Sequence, residues 1–440
     1  MGAEHAEPTL ERLREKFAAG DVDAARRALL QLSDRGVAEL EKRLGTTTVQ
    51  RMMRASRGLR GALRGRVVVL HGIMGGKLAT IDDGGDEDLV WLNYLRLING
   101  RIERLALDEN AQPLGGRYRV ETRGLLDEYM PLVFELSQAW KVLPVAYDWR
   151  LNIDVSAARL DAQIRQWADG EPVHIVAHSM GGLVSRRFMQ RFPQAWAAMQ
   201  DPLDMKRGGR LVMLGTPNRG SFAIPFVLTG TERLVRRLEA FDLRHDMPEL
   251  LNIINTFPGS YQMLPSPLVD VGDDRQRLFD TAVWGRFPVA RKYLQLGRDF
   301  QSEMDAVQDP HRLVYVAGFN RNTPYRVRVN GPGDFSYQET LDGDGRVPHE
   351  LGLLAGVPTF WVDEVHGNLA CNEHVMAALH DLLANGETKQ LESRRPAARA
   401  TRPLPRWRRV EEIVAEPIPA ATPLRSVAQA TAEDAAAAES

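Results

Sequence analysis

An apolar, β-branched run that passes through a single serine into a pair of glycines constrains this chain most: Val173-His174-Ile175-Val176-Ala177-His178-Ser179-Met180-Gly181-Gly182-Leu183-Val184. It reads as a buried strand, a sharp turn and then a helix. A serine at such a turn is held in a strained backbone conformation, with its hydroxyl beyond the sheet's edge. The residues two before and two after it must be small, and here they are Ala177 and Gly181. Gly182 lets the helix approach the sheet closely. The turn also sets Ser179 at a helix N-terminus, where developing negative charge is favoured. Ser179 is the candidate nucleophile. The competing reading is a chance A-x-S-x-G, which the strand-to-helix context opposes.

Such an elbow belongs in an α/β-hydrolase fold, a mostly parallel sheet with helices on both faces. The pattern over residues 67–385 fits. Strands are expected at 67–70, 142–146, 173–177, 211–214, 313–317 and 357–362. Helices are expected at 132–140, 156–168, 181–192 and 373–383. The strand Val67–Leu70 ends in His71-Gly72-Ile73-Met74-Gly75-Gly76, about 110 residues before the elbow. A loop in that place supplies one backbone N–H to an oxyanion hole, and the residue after the nucleophile supplies the other. These donors are assigned to Ile73 or Met74 and to Met180.

In this fold the acid and then the histidine follow the serine. The carboxylate-rich turn Leu341–Pro348 offers Asp344, flanked by two glycines, with Asp342 as the alternative. A solvated turn is the ordinary reading of such a segment. Of the four histidines after it, His349 comes before the last expected strand. His366 sits in the loop after Thr359–Val362, His374 opens the final helix as second choice, and His380 faces away. His366 would take the Ser179 proton and return it to the leaving group, with Asp344 fixing its tautomer. His178 is read as an ordinary elbow neighbour. No metal site or cofactor is expected, and C-x-x-C is absent.

Around this core, residues 1–66 read as a polar helical extension, with helices starting after Thr9 and Asp21. It turns Arg-rich toward its end, and no acidic residue occurs from Lys42 to Lys77. A solvated face paired with acids elsewhere is the ordinary reading, and an anionic membrane surface the sharper one. Residues 222–264 are long and apolar for a connection and are expected to form a cap. There Phe226 and Leu228 are candidates for an acyl-chain groove, replaceable by Ser with little loss of stability. Residues 386–440, rich in Pro, Arg and Ala, are expected to be disordered. A net charge of -2 opposes nucleic-acid binding by charge alone. The one cysteine permits no internal disulfide. With no visible leader or spanning segment, the sequence leans toward a cytoplasmic protein, with peripheral membrane contact at most.

Nine segments, in order, carry a resemblance: HGIMGGKL (71–78), VWLN (90–93), LALD (105–108), YDWR (147–150), AHSMGG (177–182), GTPNRGS (215–221), TFPGSYQMLP (256–265), GDGRVP (343–348) and VHGNL (365–369). Together they resemble the lecithin:cholesterol acyltransferase-like family of α/β hydrolases over roughly 67–385. AHSMG is shared by many lipases; YDWR, FPGSYQMLP and GDGRVP are more specific. The resemblance implies Ser179, Asp344 and His366 as the catalytic set, and acyl-ester chemistry on lipid-like substrates rather than cholesterol in particular. The first loop begins His-Gly where many members have Pro-Gly. An esterase, phospholipase or O-acyltransferase is the leading expectation. A non-catalytic hydrolase-fold binding protein and a thioesterase or peptidase are the alternatives.

Overall fold

The computed structural model describes residues 9–58, 62–91, 93–114, 116, 118–201, 204, 206–269, 272–306, 308–396 and 406–415. Its strands are β1 (Arg66–Leu70), β2 (Gly76–Asp82), β3 (Glu87–Trp91), β4 (Tyr118–Leu125), β5 (Lys141–Val145), β6 (Val173–His178), β7 (Leu211–Leu214), β8 (Leu313–Gly318), β9 (Thr323–Gly331), β10 (Asp334–Thr340), β11 (Thr359–Val362) and β12 (Arg408–Arg409). Six of them form one parallel sheet in the order β11-β8-β7-β6-β1-β5. These are the six expected strands, shifted by one or two residues at some ends.

The sheet is covered on both faces, and strand alternation divides its side chains between two cores. Val68, Leu70, Ile175, Ala177, Leu211 and Met213 point into one core, with the helices Ile153–Ala168 and Met180–Arg191. Val67, Val69, Val176, Val212 and Leu214 point into the other, with the helices Met130–Leu136 and Glu373–Asn385. Two antiparallel three-stranded sheets, β3-β2-β4 and β12-β10-β9, are added to this frame. Neither was expected.

The N-terminal segment is less separate than its polarity implied. It forms α1 (Leu10–Ala18), α2 (Val22–Leu30), α3 (Asp34–Leu44) and α4 (Thr46–Arg57), with Thr9 and Asp21 capping the first two. Leu13, Phe17, Ala25, Leu29, Leu40, Val49 and Met52 are buried in the second core. An ionic hub ties this layer down. The buried Asp127 carboxylate meets Arg14 at 2.8 Å, Lys77 at 2.8 Å and Arg43 at 3.5 Å. Burial pushes its pKa up, but the three cations outweigh that and hold it at about 2. Within the Arg-rich stretch, Arg51 pairs with Glu135; Arg60 lies outside the described residues.

A carboxylate with a depressed folded-state pKa contributes stability above its unfolded pKa and loses it as the pH falls through the folded value. Asp127→Asn is therefore expected to cost about 2 to 3 kcal/mol near neutral pH, because it leaves three partly buried cations without their shared carboxylate. Melting curves across pH check this. The gap between wild type and variant should close as the pH falls from about 4 toward 2.

The expectation of disorder from residue 386 onward needs correcting in part. Glu392 bridges to Trp361, β12 pairs with β10, and Arg408 bonds Glu339 at 2.6 Å. Arg395 pairs with Asp342 and Arg328 stacks on Trp407. Local charge complementarity docks these pieces despite the polar composition. Residues 397–405 and 416–440 lie outside the described residues.

Candidate active site

Three parallel strands deliver their C-terminal ends to one place. β6 runs into Ser179, whose backbone sits at φ 53° and ψ -123°, a region that costs a non-glycine residue strain energy. The helix Met180–Arg191 begins immediately after it. β1 ends beside it, so that a Cβ on Gly72 would stand 2.9 Å from the Ser179 Cβ. β11 leads to the short turn His366–Asn368. The acid turn arrives by a longer route, because the β9–β10 hairpin intervenes between β8 and Asp344.

The side chains meet in line. His366 Nε2 lies 2.9 Å from Ser179 Oγ, and His366 Nδ1 lies 2.8 Å from Asp344 Oδ2. The other Asp344 oxygen accepts the backbone N–H groups of Arg346 at 2.9 Å and Val347 at 2.7 Å. Burial raises the pKa of this carboxyl, but the His366 charge and these hydrogen bonds outweigh it, leaving the value lowered. The backbone N–H of His366 also donates to the Asp344 carbonyl at 2.9 Å. The alternatives stand elsewhere. Asp342 pairs with Arg395, and His374 is exposed beside Glu373.

Of the proposed oxyanion donors, Met180 follows the serine directly, and Ile73 and Met74 follow Gly72, which lies against it. Gly72 gives its own N–H to Tyr129 Oη at 2.9 Å. Among the described residues, no acceptor takes the N–H of Ile73, Met74 or Met180. Met74 is held at φ 62°, and its carbonyl accepts Trp91 Nε1 at 2.8 Å. The loop is thus braced with two donors unspent.

YDWR serves as a lock. Arg150 is buried, grips Asp148 through two bonds of 2.9 and 2.6 Å, and donates to the Leu105 carbonyl at 2.6 Å. Its carbonyl accepts the Gly259 N–H at 3.0 Å, which seats the TFPGSYQMLP segment beside the site.

The segment expected to form a cap holds the helices Ala223–Leu228, Arg233–Phe241 and Met247–Ile254. Their anchor is the acid turn. Ser221 Oγ donates to the Arg346 carbonyl, and the Arg346 guanidinium pairs with the buried Glu232, which caps the second helix. Ser179 is 5% exposed. Phe226 packs edge-on to Tyr337 with ring centroids 4.6 Å apart, and Leu228 is wholly buried. Both belong to the continuous first core, so the expected indifference of stability to their replacement gives way to a real cost.

Two features escaped the sequence reading. Gly215, at φ 60°, lies against the acid–histidine pair: a Cβ there would stand 3.0 Å from Asp344 Oδ2 and 3.1 Å from His366 Nδ1. The Gly215-Thr216-Pro217-Asn218 run offered that signal only once the pair was in place. His178 was read as an ordinary neighbour, yet it bonds Tyr129 Oη at 2.8 Å and the His366 carbonyl at 3.0 Å. His174 and His178 do stand four apart, a spacing the expectation of no metal site passed over. On a strand that puts them roughly 13 Å apart, and His174 is engaged with Lys206 and Arg210.

The parallel sheet with a strained serine between β6 and its helix is the α/β-hydrolase fold. A family model described as "Lecithin:cholesterol acyltransferase" matches residues 136–295. The chain is also similar to "Uncharacterized protein YJR098C" of Saccharomyces cerevisiae, 25% identical over 141 residues that make up 29% of this chain and 21% of the relative. It thus spans about a fifth of that relative's length. Among solved structures, it is similar to the mature form of Bacillus licheniformis lipase BlEst2, with a TM-score of 0.36, 12% identity, and 74% of this chain and 95% of that one covered. The Tle4–Tli4 complex is similar at a TM-score of 0.42 and 14% identity, with 74% and 98% covered.

Proposed function

We propose that the protein is a serine esterase or acyltransferase that acts on lipid-like acyl esters through an acyl-enzyme at Ser179. The observation that carries this is the line Ser179 Oγ, His366, Asp344, with contacts of 2.9 and 2.8 Å, at a strained elbow. In this reading His366 takes the hydroxyl proton as Ser179 attacks the acyl carbon. The N–H groups of Met180 and of Ile73 or Met74 receive the oxyanion. Protonated His366 then gives its proton to the leaving alcohol. Water or an acceptor alcohol, deprotonated by the same ring, releases the acyl group.

Residues 222–264 act as a cap in this proposal, and Phe226 and Leu228 back the wall of the acyl groove. The low exposure of Ser179 supports a step in which the cap moves. Leu243, just after the cap helix Arg233–Phe241, is 82% exposed amid Arg233, Arg236, Arg237 and Arg244, which supports peripheral contact with a lipid surface. Among the described residues no helix is long and apolar enough to cross a membrane.

A fluorophosphonate probe tests the nucleophile. Wild type is expected to label at Ser179, and separate enzyme not exposed to the probe to hydrolyse oxygen esters in a panel of esters, thioesters and peptides. An unlabelled wild type would favour the non-catalytic reading, and a panel answered only by thioesters or peptides would replace the substrate class.

A further inference from the structure

We propose that Tyr129 and His178 are positioning residues that hold the oxyanion loop and the histidine loop in one register around Ser179. This rests on the catalytic reading of Ser179, His366 and Asp344. The observation is an unbroken run of hydrogen bonds behind the serine. Gly72 N–H donates to Tyr129 Oη at 2.9 Å. That oxygen lies 2.8 Å from His178 Nδ1, and His178 Nε2 lies 3.0 Å from the His366 carbonyl.

The chain has one consistent direction. The His366 carbonyl can only accept, so His178 Nε2 carries the proton. A neutral ring then leaves Nδ1 bare to accept the Tyr129 O–H, whose oxygen accepts Gly72. Both side chains are buried, and the His178 and His366 rings sit 5.1 Å apart. Burial, with help from the neighbouring His366, depresses the His178 pKa to about 3. His178 therefore stays neutral while His366 shuttles its proton, and the donor to the His366 carbonyl persists through the cycle.

His366 is thereby fixed from three sides. Asp344 Oδ2 holds its ring, the Asp344 carbonyl its N–H, and His178 its carbonyl. The same His178 fixes Gly72 through Tyr129, and Gly72 precedes the two candidate oxyanion donors. One side chain next to the nucleophile thus sets the spacing between the group that takes the proton and the loop that takes the charge. Small displacements of either are costly to turnover.

Four variants test this: Tyr129→Phe, His178→Ala, His178→Asn and His178→Gln. Their kcat and KM on a short-chain aryl ester are measured per fluorophosphonate-titrated site, well below each melting temperature. Tyr129→Phe and His178→Ala are expected to lower kcat by ~10- to 100-fold with KM within about twofold. His178→Gln should recover part of that loss, because its amide nitrogen reaches the Nε2 position and can donate to His366. His178→Asn, whose amide ends at the Nδ1 position, should not. Wild-type kcat in Tyr129→Phe and His178→Ala would overturn the proposal. So would equal losses in the Gln and Asn variants that track their melting temperatures. A wild type that takes no label would overturn the nucleophile assignment itself, and this proposal with it.

Discussion

Ser179→Ala is expected to lower acyl-ester turnover by ~10⁴- to 10⁶-fold while the protein keeps its melting temperature to within a few degrees. The substitution deletes one oxygen, whose bond in the structure is to His366 Nε2, and it leaves both cores untouched. It should also relax the positive φ only slightly, since alanine has the same Cβ. His366→Ala should match the loss, because an unassisted serine hydroxyl is a weak nucleophile. Asp344→Asn should lose as much or less. An asparagine amide would face His366 Nδ1–H with a donor or force the wrong tautomer, and it would give up the charge that stabilises the imidazolium. Steady-state rates on a soluble ester, with melting curves alongside, check all three. His374→Ala is the control, and its activity should stay at the wild-type level because its ring stands beside Glu373 on the surface.

Leu228→Ser is expected to destabilise the fold by about 3 to 5 kcal/mol. Leu228 is fully buried, and its carbonyl accepts Asn255 Nδ2 at 3.0 Å, which joins the helix Ala223–Leu228 to Met247–Ile254. The serine would leave a cavity and bury a hydroxyl there. Denaturant unfolding of the variant measures the loss. Phe226→Leu separates groove from core more gently, because it keeps an apolar side chain against Tyr337. If Phe226 backs the acyl groove, this variant should shift the ratio of long- to short-chain turnover while staying folded. An unchanged ratio would make the residue part of the core alone.

Much of this was legible in the sequence because it is local. The six parallel strands are short apolar runs bounded by turn signals. The elbow needs only the strand, Ser179 and small residues at Ala177 and Gly181. Asp344 and His366 followed from chain order, each with one competitor that the structure places apart. What stayed hidden depends on contacts between distant segments. His178 looked ordinary because its partners Tyr129 and His366 are 49 and 188 residues away. The β9–β10 hairpin alternates Arg326 and Arg328 with Val327 and Val329, so its apolar signal is halved, though Asn330-Gly331-Pro332-Gly333 marks its turn. The N-terminal helices showed their apolar faces but not the partner, which is the helix Met130–Leu136 and its neighbours. In the tail, composition averaged over 386–440 concealed the fit of Arg408 to Glu339.

The central claim is that Ser179 carries the acyl group during turnover. Intact-mass analysis of wild-type protein, quenched in acid within a turnover of an activated long-chain ester, tests it most directly. The account predicts one added acyl mass, located by digestion on the peptide that ends at Arg186 and absent from Ser179→Ala. Added alcohol acceptor should shorten its lifetime. Turnover with no acyl mass on that peptide, or the same mass retained in Ser179→Ala, would contradict the account.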